Sequence, residues 1–238
     1  MNLVIDFGNT NIKCGVFDND LLKLSETFQD TESVRAFIND RIYYKIGVCS
    51  VSQSAEDIKE KIPELESALF LNHNTKTPLQ VDYETPHTLG MDRLAAAVGA
   101  HAIFPDVPLM VIDIGTCITY DFISEDAVYQ GGIISPGVEL RYKSMNDYTK
   151  NLPLLKDLDS HSFIGKSTRQ SMNSGVINGI TAEIQSHISQ LLLNNAGLKV
   201  IMTGGGSKTF ESKIKSDIFV SLEIVLVGLN RVLEYNVE

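Results

Sequence analysis

Two stretches of this chain run from an apolar strand into Asp-x-Gly: "VIDFGNTNIK" at 4–13 and "VIDIGTCITYD" at 111–121. Glycine lets a backbone approach a phosphate, neighbouring hydroxyls and N–H groups donate to its oxygens, and a carboxylate can hold a cation against it. In the first stretch Asp6, Gly8, Asn9, Thr10 and Lys13 suit a polyphosphate; in the second, Asp113, Gly115 and Thr116 do. A single turn of this kind is equally an ordinary hairpin, because Asp and Gly are common turn residues. Two copies, each closing a buried strand at the same place in a repeat, favour two halves that grip the phosphates of one nucleotide.

A different chemistry is offered by "LGMDRLAAAVGAHA", 89–102. Asp92 can act as a general base towards a substrate hydroxyl, with Arg93 steadying charge on a transferring phosphoryl group. Locally, Asp92 also reads as a helix N-cap and Arg93 as a solvated first-turn residue. The readings are compatible, since a helix start is a rigid mount for a base. Other stretches are less specific. "GKSTRQSMNSGVINGI" (165–180) offers capping hydroxyls at Ser167 and Thr168, and "GGIISPG" (131–137) reads as strand and turn. The glycines of "TGGGS" (203–207) suit the approach of a flat ligand such as a nucleobase. His73, His87, His101, His161 and His187 show no metal spacing.

These residues need elements to hold them. Strands are predicted over 2–7, 12–17 and 21–28, a helix over 31–40, and a strand over 45–52 ending in small residues. "SAEDIKEKI" opens with a good helix start, and "RLAAAVGAHAIF" (93–104) is helical. The plan then repeats, with strands at 109–114, 117–123 and 127–134, helices near 137–147 and 174–194, and a strand from 199. A last helical face shows Leu222, Val225, Leu226 and Leu229. Periodicity gives α/β or α+β; the repeat of strand, acidic turn, strand adds a duplicated unit.

Composition narrows the partners. The chain has 238 residues, enough to bury a sizeable core, with 43% hydrophobic and 21% charged residues. A formal net charge of −10 argues against duplex nucleic acid or an anionic membrane as partner, yet allows a small anionic substrate. The start "MNLVIDFG" has no basic leader, and no apolar run reaches the length of a membrane span. Cys14, Cys49 and Cys117 form no C-x-x-C pair and read as small residues of a reducing cytoplasm. The expectation is a cytoplasmic protein.

In order along nearly the whole chain, "DFGNTNIKCGVF", Tyr83 with "ETP", "LGMDRLAAAVGA", "VIDIGTCITYDF", "GGIISPG", "TKNLP", "KSTRQSMNSG" and "TGGG" resemble the type III pantothenate kinases. That family lies in the acetate-kinase, sugar-kinase, Hsp70 and actin superfamily. The G-x-D-R element with Tyr83 upstream is the most specific part. The resemblance implies an α/β chain with a duplicated ribonuclease H-like (actin-like ATPase) fold. Its two similar domains, 1–107 and 108–238, would have a nucleotide cleft between them. It implies ATP-dependent phosphorylation of pantothenate to 4'-phosphopantothenate, the first step of coenzyme A biosynthesis. A sugar kinase of the same superfamily, or a nucleotide-binding regulator, is the alternative.

The resemblance also implies roles. Asp6, Phe7, Gly8, Asn9, Thr10, Asn11, Ile12 and Lys13 would bind ATP, with Thr116 contacting it from the second half. Tyr83, Gly90, Met91, Asp92, Arg93 and Thr168 would bind pantothenate, and Asp92 would be the catalytic base. Asp113 would hold a monovalent cation, K⁺ or NH₄⁺, used alongside Mg²⁺ with ATP. A homodimer is implied, its substrate site near the subunit interface. Met91 and Cys117 stand where the family pattern has smaller residues such as Ala.

Overall fold

Residues 1–156 and 162–236 are described by a computed structural model; His161 falls outside them. Strand β1 (Asn2–Phe7) is buried almost throughout and pairs antiparallel with β2 (Ile12–Asp18), Asp6 opposite Lys13 and Phe7 opposite Ile12. That register leaves residues 8–11 as the turn, which Gly8 N closes on Asn11 O at 3.1 Å. Strand β3 (Leu21–Phe28) adds to β2, and helix α1 (Thr31–Asn39) starts where Asp30 accepts from Ser33 N at 2.7 Å. Next come β4 (Lys45–Ser50), parallel to β1, then α2 (Ala55–Lys61) capped by Ser54, then the short strands β5 (Leu69–Phe70) and β6 (Gln80–Val81). Helix α3 (Met91–Ile103) follows.

The second set comprises β7 (Leu109–Ile114), β8 (Cys117–Ile123), β9 (Val128–Pro136), α4 (Val138–Tyr148), α5 (Thr168–Leu192), β10 (Lys199–Thr203), α6 (Ser207–Phe210) and β11 (Ile218–Val220). Helix α7 (Ile224–Tyr235) ends the chain. The sequence predicts most strands and helices close to these limits. It does not show the four-residue α6, and Leu222, read as part of the last helical face, lies before α7. Two further differences have a local cause. Helix α5 begins at Thr168 rather than near 174, because Ser167 accepts from Gln170 N at 3.3 Å and caps a polar first turn that has no apolar periodicity. Strand β11 is only three residues long, too short to show alternation.

Strand order is where the repeat becomes geometric. The first sheet runs β3-β2-β1-β4-β5 and the second β11-β10-β7-β8-β9-β6. Taken from its other edge, the second is β9-β8-β7-β10-β11 with β6 added beside β9. Strands β7 to β11 therefore occupy the places of β1 to β5. Asp6 and Asp113 each stand next to last in the central strand.

The chain divides into two compact units. One holds Met1–Leu109, Asp121–Gly131 and Ser221–Glu238; the other holds Met110–Tyr120 and Gly132–Val220. In the first, Leu3, Ile5, Phe7, Val16, Val34 and Val48 belong to one buried cluster. Helix α7 packs on β1, β2 and β4, and closely along α3. Two glycines allow that approach: a Cβ on Gly228 would collide with Ala95 O, and one on Gly99 with Ile224 O. Buried Asn230 of α7 accepts from Asn2 Nδ2 at 3.2 Å and donates to Asn19 O at 3.0 Å, fixing the helix in register.

Candidate active site

The turn between β1 and β2 opens into a pocket of about 390 Å³ lined by Gly8–Ile12 together with Asp30, Ser52 and Lys61. Ser52 Oγ donates to Phe7 O at 3.3 Å, tying the end of β4 to the turn. The side chains of Phe7 and Ile12 lie in the core, so only their main chain can face a ligand. Lys13 Nζ donates to Leu222 O at 3.3 Å, which places the ammonium against the segment leading into α7. Asp6 lies opposite Cys49 of β4, and α3 packs on the same strand. Burial drives the Cys49 thiol well above its ordinary value, and the charges of Asp6 and of Asp92 both add to the rise. Cys14 is pushed up to about 12 by burial, then by Asp6 and Glu26. Neither thiol is a nucleophile at neutral pH.

Asp92 is not the N-cap of α3, as local sequence suggests; Gly90 is, and Asp92 is the second helical residue. Its Oδ1 accepts from Arg93 N at 2.8 Å. A Cβ on Gly90 would lie 2.6 Å from that same oxygen, so the glycine makes room for the carboxylate. Burial raises the Asp92 carboxyl above its usual range; the Arg93 amide opposes this and the charge of Asp121 reinforces it. A carboxylate so placed is a stronger base than one in water.

Arg93 is buried rather than solvated, only 8% exposed. Its Nε and Nη2 both donate to Asp121 Oδ1, at 2.9 and 2.6 Å, and the Tyr129 hydroxyl donates to the same oxygen at 2.6 Å. Burial alone would lower its basicity, but the hydrogen bonds and charge of Asp121 outweigh that, and Tyr83 contributes a further hydrogen bond. The Tyr83 and Tyr129 rings stand 6.1 Å apart and tilted. No role for Asp121 or Tyr129 is read from the sequence alone. The signal for Asp121 was present, as a lone charge inside the strand "CITYDFI".

In the second unit Gly115 N donates to Cys117 O at 3.0 Å and closes the turn between β7 and β8. Gly204, at φ +85°, follows β10 and lies so close to Asp113 that a Cβ there would collide with its Oδ1. Gly206 N donates to Ile114 O at 2.9 Å, so the "TGGG" loop is seated on the acidic end of β7. Among the described residues no three His, Cys, Asp or Glu side chains cluster to hold a metal ion. Asp113 Oδ1 and Ile114 O both face the Gly204 backbone, and carboxylate and carbonyl oxygens of this kind fit a hard cation. Thr168 lines an open pocket of about 620 Å³ with Met145, Leu152, Lys166 and Met172, which includes none of Asp113, Gly115 or Thr116. Also among the described residues, no helix is long and apolar enough to cross a membrane.

Two sheets of one strand order, each with an acidic turn after its central strand, define the duplicated ribonuclease H-like fold of the actin-like ATPases and their kinase relatives. Solved structures agree at the level of fold. A protein from Campylobacter jejuni assigned to the Baf family of transcriptional activators aligns with a TM-score of 0.66 at 22% identity, over 98% of both chains. The ROK hexokinase of Thermus thermophilus aligns at 0.54 and 11% identity, over 99% of both. The chain belongs to the type III pantothenate kinase family, whose sequence pattern matches residues 2–190. Relatives bearing that name include proteins of Cytophaga hutchinsonii, 42% identical over 100% of both chains, and of Phocaeicola vulgatus, 39% identical over 99% of both.

Proposed function

We propose that this chain carries out the reaction its family is named for, transferring the γ-phosphoryl group of ATP to a hydroxyl of pantothenate, with Asp92 as general base. The observation that carries the assignment is Asp92 itself. Its half-buried carboxylate stands at a rigid helix start, is raised in basicity by burial, and rides on α3, which packs on β4, where Cys49 lies opposite Asp6 of the phosphate turn. Asp92 would take the hydroxyl proton as the oxygen attacks phosphorus, while the amides of residues 9–11, with Thr10 and Thr116, hold the phosphate oxygens. Tyr83, Gly90, Met91, Arg93 and Thr168 would position pantothenate. Most of the catalytic effect is then positioning and charge neutralisation. Mg²⁺ bound with ATP supplies further neutralisation of phosphate charge.

The test is ADP release in a coupled assay, with pantothenate compared against a panel of sugars. Pantothenate-dependent release is expected. Release with a sugar instead would indicate a sugar kinase, and ATP binding with no acceptor-dependent release would indicate a regulator.

Asp113 with neighbouring carbonyls would hold a monovalent cation against the phosphates, because two anions facing one another need a cation between them. A large, weakly hydrated K⁺ or NH₄⁺ suits such a site better than Mg²⁺, which keeps its waters. Initial rates at fixed Mg²⁺ and ionic strength are expected to rise with KCl, to respond poorly to Na⁺, and to lose the response in Asp113→Asn. Full activity in Na⁺ alone would refute the cation role. A homodimer, working in the cytoplasm, completes the reading; exposed Phe163 and Ile164, beside the Thr168 pocket, are its proposed contact.

A further inference from the structure

A closed circuit of hydrogen bonds surrounds the second acidic turn, and all of it lies in the second unit. Thr116 O accepts from Gly137 N at 3.0 Å, and a Cβ on Gly137 would collide with Gly115 O, so the "SPG" loop is pressed onto the turn. That loop is held by Arg141 of α4, whose Nε donates to Pro136 O at 2.8 Å and whose Nη2 donates to Ser135 Oγ at 3.0 Å. The same Nη2 pairs with Glu183 Oε2 of α5 at 2.6 Å. The other oxygen of Glu183 accepts from the Tyr120 hydroxyl at 2.7 Å. Tyr120 lies on β8, the strand that leaves the turn, so the main chain from Tyr120 back to Thr116 closes the circuit.

We propose that Arg141 and Glu183 are positioning residues that hold the Asp113–Cys117 turn in its nucleotide-binding geometry, by clamping both the loop above it and the strand that leaves it. The proposal rests on the reading that this turn binds ATP phosphates.

Three features separate the arrangement from an incidental ion pair. Arg141 and Glu183 are 21% and 22% exposed, so the pair is largely shielded from solvent. Both carboxylate oxygens and two guanidinium nitrogens are engaged, which fixes orientation as well as distance. The anchor is α5, a helix of 25 residues, and His187 on it meets the Tyr120 ring edge-on at 4.7 Å between centroids. Arg141 could not be replaced by lysine without loss, because one ammonium cannot span Pro136 O, Ser135 Oγ and Glu183 in a fork.

The experiment compares wild type with Glu183→Gln, Arg141→Met, the Arg141→Met/Glu183→Gln double variant and the milder Tyr120→Phe. Steady-state constants, titration of a non-hydrolysable ATP analogue and Tm are measured for each. The KM for ATP and the analogue Kd are expected to rise about tenfold in Glu183→Gln and Arg141→Met, as for one lost charge-assisted hydrogen bond. Pantothenate KM should move less than about twofold, and the double variant should be no worse than the worse single one, since the two act as one unit. Equal rises in both KM values, or a lowered Tm with unchanged nucleotide affinity, would overturn the proposal. Should wild type release no ADP with pantothenate, the substrate reading fails by itself. The analogue titration then still decides the circuit: weaker binding in the variants supports it and unchanged binding overturns it.

Discussion

A carboxylate one residue into a helix ordinarily gains from the positive end of the helix dipole. At Asp92 burial wins over that effect, and the carboxyl is raised above the ordinary aspartate value. Two consequences run in opposite directions as pH rises. Activity needs the ionised base, so kcat/KM is expected to rise with pH through the raised Asp92 value, with an acid limb above the ordinary aspartate range. The folded chain also holds this proton more tightly than the unfolded one, so stability contributed by the protonated form falls as pH rises through the same window. Asp92→Asn is expected to lower kcat by roughly 10²–10⁴-fold and to remove both dependences, while the fold and ligand binding persist. A pH–rate profile beside a pH–denaturation series checks this; near wild-type turnover would refute the base assignment. Tyr83→Phe and Thr168→Ala each remove one hydroxyl from the proposed pantothenate pocket. Calorimetric titration should show pantothenate weakened by about 1–3 kcal/mol and ATP little changed. Equal weakening of both ligands would point to a folding defect instead.

The elements that carry these residues meet through small side chains. Helices α3 and α7 approach closely because Gly99 and Gly228 present no side chain at their contact. Asp92 and Arg93 ride on α3, so this contact sets where the proposed base stands relative to β4. Gly228→Ala would force a methyl group onto Ala95 O, and main chain cannot swing aside as a flexible side chain can. Overpacking of this kind costs about 1–3 kcal/mol. Urea denaturation should show the midpoint lowered with an unchanged slope, and kcat should fall as well because α3 must shift. An unchanged midpoint would mean that the two helices separate freely.

For the whole molecule, the proposed assembly makes a direct prediction. Light scattering should report twice the 26.3 kDa of one chain. Phe163 and Ile164 are 81% and 76% exposed in a single chain, a large apolar surface beside the pocket that holds Thr168. Phe163→Asp is expected to halve the mass and to raise the KM for pantothenate more than that for ATP, since the substrate site is proposed to lie near the interface. A monomeric wild type with full activity would refute this assembly.

Much of this was written locally in the chain. Strand–turn–strand with Asp6 and Gly8, and again with Asp113 and Gly115, is set by apolar alternation and turn chemistry over a dozen residues, so both acidic turns were legible. The glycines and the Asp-Arg pair of "GMDR" were legible for the same reason, because residue type and short spacing carry their chemistry. What depends on distant partners was not. The sequence makes Arg93 a solvated residue, and only Asp121 and Tyr129, brought to it across the fold, make it a buried ion pair. Asp92 looked like a cap until the backbone put Gly90 in that place. The apolar face of the last helix predicts burial but not a destination; the tertiary structure lays it against the first strands, far away in the chain, since hydrophobic burial has no address and shape complementarity at Gly99 and Gly228 supplies one.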